Sequence, residues 1–181
     1  YFRKRSGNYY SVGEDFTEEL VNSKQMQEKV TKKLGYPVFI KPANSGSSVG
    51  ITKAHNSEEL IQFIDYAAQY DTKILVEQNI EGREVECAVL GNGEAKASCV
   101  GEILPAEEFY TFDAKYKNAQ SRTMIPADLP EKTAKEIQEY ATKAFRAVDG
   151  SGLSRVDFFV EKKTGKVILN EINTMPGFTR N

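Results

Sequence analysis

The sequence predicts an α+β protein in two parts, and three observations carry that prediction. Residues 1–80 alternate short apolar runs with segments of helical period. From Arg83 onward, strand patterns follow one another across Gly-containing turns, with one amphipathic helix among them. The change falls near residues 79–83, so the expected domains are 1–80 and 81–181.

Taken in order, residues 1–12 read as a strand pair turning at Ser6-Gly7-Asn8. Thr17 is the expected N-cap of a helix reaching Leu34, with Gly35 as its stop. Val38-Phe39-Ile40 is a short strand ending at Lys41, and Val49 to Lys53 is a returning one. A second helix covers about 58–70 after the start signal Asn56-Ser57-Glu58-Glu59, with Leu60, Ile61, Phe63, Ile64, Ala67 and Ala68 on its apolar face. Ile74 to Val76 is a further strand. The second part then gives strands near 84–90, 95–103 and 121–125, with Gly91-Asn92-Gly93 as a hairpin turn and 105–120 as a long polar and aromatic loop. The third helix, 131–148, places Ala134, Ile137, Ala141, Ala144, Phe145 and Val148 on one stripe. Strands at 153–160 and 167–173 close the chain.

Composition excludes several classes of function. A net charge of −2 over 181 residues, with scattered lysines, gives no basic stripe for a nucleic acid. No apolar run has the length of a membrane span. Cys87 and Cys99 lie in apolar strands far from any CxxC spacing and are expected to be buried free thiols in a reducing cytoplasm. The one histidine, His55, is expected in a surface loop, which disfavours a His-dependent hydrolase or a His-rich zinc site. The chain opens on a strand without an initiator Met and ends in a turn-rich segment, so it reads as a piece of a longer protein.

Three constellations carry chemistry. The last hairpin, centred on Thr164, pairs Lys162 with Lys166, Asp157 with Glu171 and Arg155 with Asn173. Alternation then places Arg155, Asp157, Glu171 and Asn173 on one face, and Val156, Phe158, Val160, Ile168 and Ile172 on the other. Opposed carboxylates repel unless a cation lies between them, and an all-oxygen set suits Mg²⁺. The competing reading is a solvated hairpin face on which Arg155 neutralises its neighbours. Second, Lys41-Pro42-Ala43-Asn44-Ser45-Gly46-Ser47-Ser48-Val49-Gly50 leaves a buried strand through small residues. Their N–H groups can converge on phosphate oxygens while Lys41 adds a point charge. It matches neither of the common glycine-rich phosphate motifs and leads into a strand, as a flap. Third, Leu75 to Glu84 is an extended segment at the domain boundary, equally compatible with a nucleotide-base contact and with a linker.

Ile40 to Gly50, Glu77 to Glu84, Lys115-Tyr116 and Arg155 to Gly177 together resemble the ATP-grasp family and, within it, the D-alanine–D-alanine ligases. The resemblance implies two α+β subdomains with mainly antiparallel sheets that clasp ATP. It implies that Lys41 contacts the phosphates, that Ser47 and Ser48 belong to the closing loop, and that Ser47 lies near the first substrate. Glu77, Gln78 and Ile80 would line the adenine, Glu84 would bind ribose, Phe109 would cover the base and Lys115 would touch the transferring phosphate. Asp157, Glu171 and Asn173 match ligands of two Mg²⁺ ions, with Mn²⁺ as a substitute. Arg155 and the Gly177 N–H would stabilise a tetrahedral intermediate, and Tyr116 accompanies amino-acid acceptors. The expected reaction joins two D-alanines with ATP through an acyl phosphate for peptidoglycan. It would run in the cytoplasm, in a full-length protein that dimerises, and this chain alone would be inactive. A D-alanine–D-serine ligase, another carboxylate–amine ligase and a non-catalytic nucleotide-binding module are the alternatives.

Overall fold

The computed structural model describes residues 1–45, 48–104 and 122–177. The chain divides into two compact units, Tyr1–Asn79 and Ile80–Asn181, each with its own antiparallel sheet.

In the first unit, β1 (Phe2–Arg5) and β2 (Asn8–Val12) form a tight hairpin with Ser6 at φ 52° and Gly7 at φ 80°, the left-handed pair that matches strand twist. β3 (Glu18–Val21) follows, then α1 (Ser23–Lys33), β4 (Val38–Pro42), β5 (Thr52–Ala54), α2 (Ser57–Ala67) and β6 (Lys73–Gln78). The strand order is β3-β2-β1-β6-β4-β5. A core of Phe2, Val21, Met26, Val30, Val38, Ile40, Ala54, Leu60, Ile64, Ala67 and Ile74 joins one sheet face to both helices.

The expected helix start at Thr17 is corrected. Residues 18–21 are a strand, because Val21 pairs with Tyr9 and is buried. The helix begins after Asn22, whose side chain accepts from the Gln25 N–H while Gln25 answers on the Asn22 N–H. This reciprocal box satisfies two end donors, and it outcompetes Thr17. The stop at Gly35 holds, with φ 70°. In α2, Asn56 caps the Glu59 N–H, and His55 beside it is exposed.

In the second unit, β7 (Gly82–Gly91), β8 (Lys96–Leu104), β9 (Arg122–Met124), α3 (Glu131–Ala147), β10 (Gly152–Glu161) and β11 (Val167–Asn173) build a sheet ordered β11-β10-β7-β8-β9. Ile137, Ala141 and Phe145, spaced by single turns, bury α3 against Val85, Cys87, Val89, Val156, Phe158 and Val160. Val148 falls off this stripe and is 50% exposed. Cys87 is buried, but Cys99 is exposed, against expectation. Val100 takes the position opposite Cys87, so its neighbour in sequence must face away from α3. The 105–120 loop lies outside the described residues.

Candidate functional site

The last hairpin delivers the expected pairs by a different route. Glu161 and Lys166 close it, and Val160 pairs with Val167, one residue out of step with a register centred on Thr164. Asp157 nevertheless faces Glu171 and Arg155 faces Asn173, because the register shifts between Asp157 and Phe158. Phe158 faces Leu169, so Asn170 is the extra residue of a β-bulge. The bulge resolves a parity conflict. Val167 and Ile172 both pack on the α3-side core although the four residues between them would send them to opposite faces of a regular strand. Ile168, expected on that core face, instead pairs with Phe159 on the face away from α3.

On that far face the pairing of three strands lines up carboxylates. Glu86 of β7 is opposite Asp157 of β10, which is opposite Glu171 of β11. Arg155, two residues before Asp157, forks onto it, with Nε donating to Oδ1 and Nη2 to Oδ2, both at 2.7 Å. Its Nε also lies 3.3 Å from Glu86 Oε2. The hydrogen bonds to Asp157 lift the guanidinium further above its ordinary high pKa, partial burial opposes this, and the charges of Asp157, Glu86 and Glu171 add to it. Asp157 itself is 7% exposed. Asn173 Oδ1 accepts from the Met175 N–H at 3.1 Å, bending the chain toward Gly177, which is exposed.

The donor set suits a hard cation: Asp157 and Glu171 carboxylates with the Asn173 amide oxygen, all oxygen, with few protein ligands so that phosphate and water complete the shell. Among the described residues no three His, Cys, Asp or Glu side chains gather into a metal cluster. Arg155 supplies the positive charge beside Asp157 in this arrangement.

In the first unit, Lys41 on β4 pairs with Glu77 of β6 at 2.7 Å, joining two of the three constellations singled out in the sequence through one ion pair. Phe39 is opposite Glu77 and carries Lys53 over its ring at 5.4 Å. The loop after Pro42 is tied at both ends to the turn after α2. Asp71 Oδ2 accepts from the Asn44 N–H at 2.9 Å and its side-chain amide at 2.8 Å, and Ala43 N–H donates to Lys73 O at 2.9 Å. At the exit, Gly50 has φ 75°, and a Cβ there would sit 2.8 Å from both Pro42 and Tyr70. Ser48 is also left-handed, at φ 64°. Asp71, which fastens the loop after Pro42, is a residue that sequence reasoning missed. Its signal was local: Asp71-Thr72-Lys73, with Oδ1 accepting from the Lys73 N–H, is an Asx turn.

Of the other expected residues, Glu77 and exposed Gln78 end β6 in the first unit, whereas Ile80 begins the second. Glu84 is opposite Phe159 and shares the face of Glu86. Ser47, Phe109, Lys115 and Tyr116 lie outside the described residues.

The family model "D-ala D-ala ligase C-terminus" matches residues 10–181. A D-alanine–D-alanine ligase of Acetivibrio thermocellus is 61% identical over 152 residues, covering 84% of this chain and 40% of the relative. One from Clostridium acetobutylicum is 52% identical, covering 90% and 47%. Among solved structures, a D-Ala:D-Ser ligase from Enterococcus faecalis aligns with a TM-score of 0.75 at 41% identity, over 87% of this chain and 46% of that one. The D-alanine–D-alanine ligase of Coxiella burnetii gives 0.74 at 38% identity, over 88% and 41%. The chain thus spans less than half the length of these relatives.

Proposed function

The chain belongs to the D-alanine–D-alanine ligase family, and from that premise we propose that the full-length protein joins two D-alanines to D-alanyl-D-alanine at the expense of ATP. The observation that carries this reading is the face where Glu86, Asp157 and Glu171 meet Arg155 and Asn173. Lys41 and the backbone after it hold the ATP phosphates. Glu77, Gln78, Ile80, Glu84 and Phe109 hold the nucleoside, and Lys115 reaches the transferring phosphoryl group. The first D-alanine carboxylate attacks the γ-phosphorus; its new O–P bond replaces the β–γ bridge, leaving ADP and an acyl phosphate. The amine of the second D-alanine then attacks the acyl carbon, phosphate leaves with the electron pair of the C–O bond, and the proton shed by the nitrogen goes to the departing phosphate.

Two Mg²⁺ ions, or Mn²⁺ in their stead, held by Asp157, Glu171 and Asn173 supply charge neutralisation for the phosphoryl oxygens. Arg155 is permanently protonated, so its part is electrostatic: with the Gly177 N–H it receives the negative charge of the tetrahedral intermediate. Ser47 and Tyr116 position the substrates. No covalent enzyme intermediate is needed, and catalysis comes from placement and charge. The product serves peptidoglycan assembly, made in the cytoplasm by an enzyme that pairs as a homodimer. None of the described helices is long and apolar enough to cross a membrane.

Glu171→Gln in the full-length enzyme tests this. Turnover should fall about 100-fold or more while nucleotide affinity changes only a few-fold, as for a group used mainly in the transition state. Equal loss of both would point to a nucleotide-binding module. The likeness to a D-Ala:D-Ser ligase favours a second reading, D-serine as acceptor. Comparing kcat/KM for the two acceptors separates them, and the higher identity to D-alanine–D-alanine ligases favours D-alanine.

A further inference from the structure

The acidic row holds one carboxylate more than the proposed ligand set uses, and we propose that it, Glu86, is a positioning residue that takes Arg155 off Asp157 when a divalent cation binds. The inference rests on the function proposed above and adds a residue to it.

Its root is a conflict visible in the geometry. Both oxygens of Asp157 accept from the Arg155 guanidinium at 2.7 Å. A divalent cation on Asp157 would lie within a few ångströms of that positive charge, where repulsion in a half-buried site is strong. Arg155 therefore has to shift. A guanidinium moved away with no counter-ion would be a partly buried unpaired charge, which is costly. Glu86 removes that cost. Its Oε2 is already 3.3 Å from Arg155 Nε, so a small rotation exchanges one ion pair for another.

The strand register prepares the exchange. Glu86 is directly opposite Asp157, and Arg155 is opposite Ala88, two residues further along the same face of β7. Alanine leaves the space over β7 to the long arginine side chain, which can lean toward either carboxylate. No bond is made or broken; only the ion-pair partner changes.

The test is a double-mutant cycle read by Mn²⁺ affinity, measured by electron paramagnetic resonance with ATP present, on a full-length ligase carrying this chain. Glu86→Gln keeps the shape and should weaken Mn²⁺ binding about 5- to 10-fold, a coupling ordinary for contacting charges. In an Arg155→Met background the same substitution should change nothing further. The proposal is overturned if Glu86→Gln leaves Mn²⁺ affinity unchanged in the parent. It is overturned equally if the loss persists with Met at position 155, which would make Glu86 a direct ligand or a structural support. Glu171→Gln run alongside separates the two failures: if it too leaves Mn²⁺ affinity intact, the metal reading itself is wrong. Thermal unfolding of each variant verifies that all are folded.

Discussion

Two arginines of the second sheet grip carboxylates with the same fork, on opposite faces. Arg83 donates to Glu102 at 2.6 and 2.5 Å, and Arg155 to Asp157 at 2.7 Å twice. Arg83 is opposite Val160, and Glu102 is opposite Val85, so this pair sits on the core face that α3 covers. Glu102 is 5% exposed, and the hydrogen bonds to it raise the Arg83 pKa, with partial burial opposing. Arg155 instead stands beside three carboxylates among the described residues, Asp157, Glu86 and Glu171. Fork geometry alone does not distinguish a fastening from a site. The number of carboxylates within ion-pair distance of each fork differs: one at Arg83, two at Arg155 among the described residues, and the proposed metal site rests on the second.

Arg155→Ala should show the largest effect, a fall in kcat of about 10²- to 10³-fold, the loss typical of an oxyanion-stabilising donor. Whatever stability it loses should return when millimolar Mg²⁺ is added, since the carboxylates remain to bind it. Steady-state assays and melts with and without Mg²⁺ check both halves. Arg83→Ala should behave in the opposite way. It leaves Glu102 buried and unpaired, and with Arg83 one-third exposed the cost is about 2–3 kcal/mol, below that of a fully enclosed pair. Urea unfolding should register this loss with no Mg²⁺ rescue, and kcat per folded molecule should stay near the parent value. If Mg²⁺ rescued both variants or neither, the distinction between the two forks would collapse.

The smallest effect belongs to Asp71, a carboxylate held by N–H groups rather than by an arginine. Removing its bonds to Asn44 in Asp71→Ala should raise KM for ATP about 3-fold and leave kcat alone, the worth of one or two exposed hydrogen bonds. Desolvation pushes its carboxyl pKa upward, but the backbone N–H groups of Lys73, Asn44 and Thr72 outweigh it, so the folded value lies below 3.8. A depressed carboxylate stabilises fully above its unfolded pKa and loses that contribution as pH falls through the folded one. Parent and Asp71→Ala should therefore differ slightly in thermal stability at pH 7, and the difference should shrink as pH falls through the depressed folded pKa of Asp71.

Much of the site was readable because its signals are local. Alternation placed Asp157 and Arg155 on one face, and Glu171 and Asn173 followed once the hairpin was recognised. The small residues after Lys41 announced a loop, which follows β4. What escaped was decided by contacts distant in sequence. β3 forms because pairing with the partly buried Tyr9 buries Val21, a pairing that a helix signal at Thr17 cannot reveal. Cys99 turns outward because Val100 claims the place opposite Cys87. Asp71 reaches Asn44 across 27 residues.

The last hairpin divides the two contributions most clearly. Strand periodicity and residue chemistry determined from the sequence alone that two carboxylates, an amide and a guanidinium share a surface. Only the tertiary structure decided how: the bulge at Asn170 lets Val167 and Ile172 both enter the core, and it brings Asp157 back opposite Glu171. β7 then adds Glu86 to the row. A sequence fixes which atoms are available along each strand. Which strands lie side by side depends on burying apolar faces against α3, and that is a property of the whole sheet.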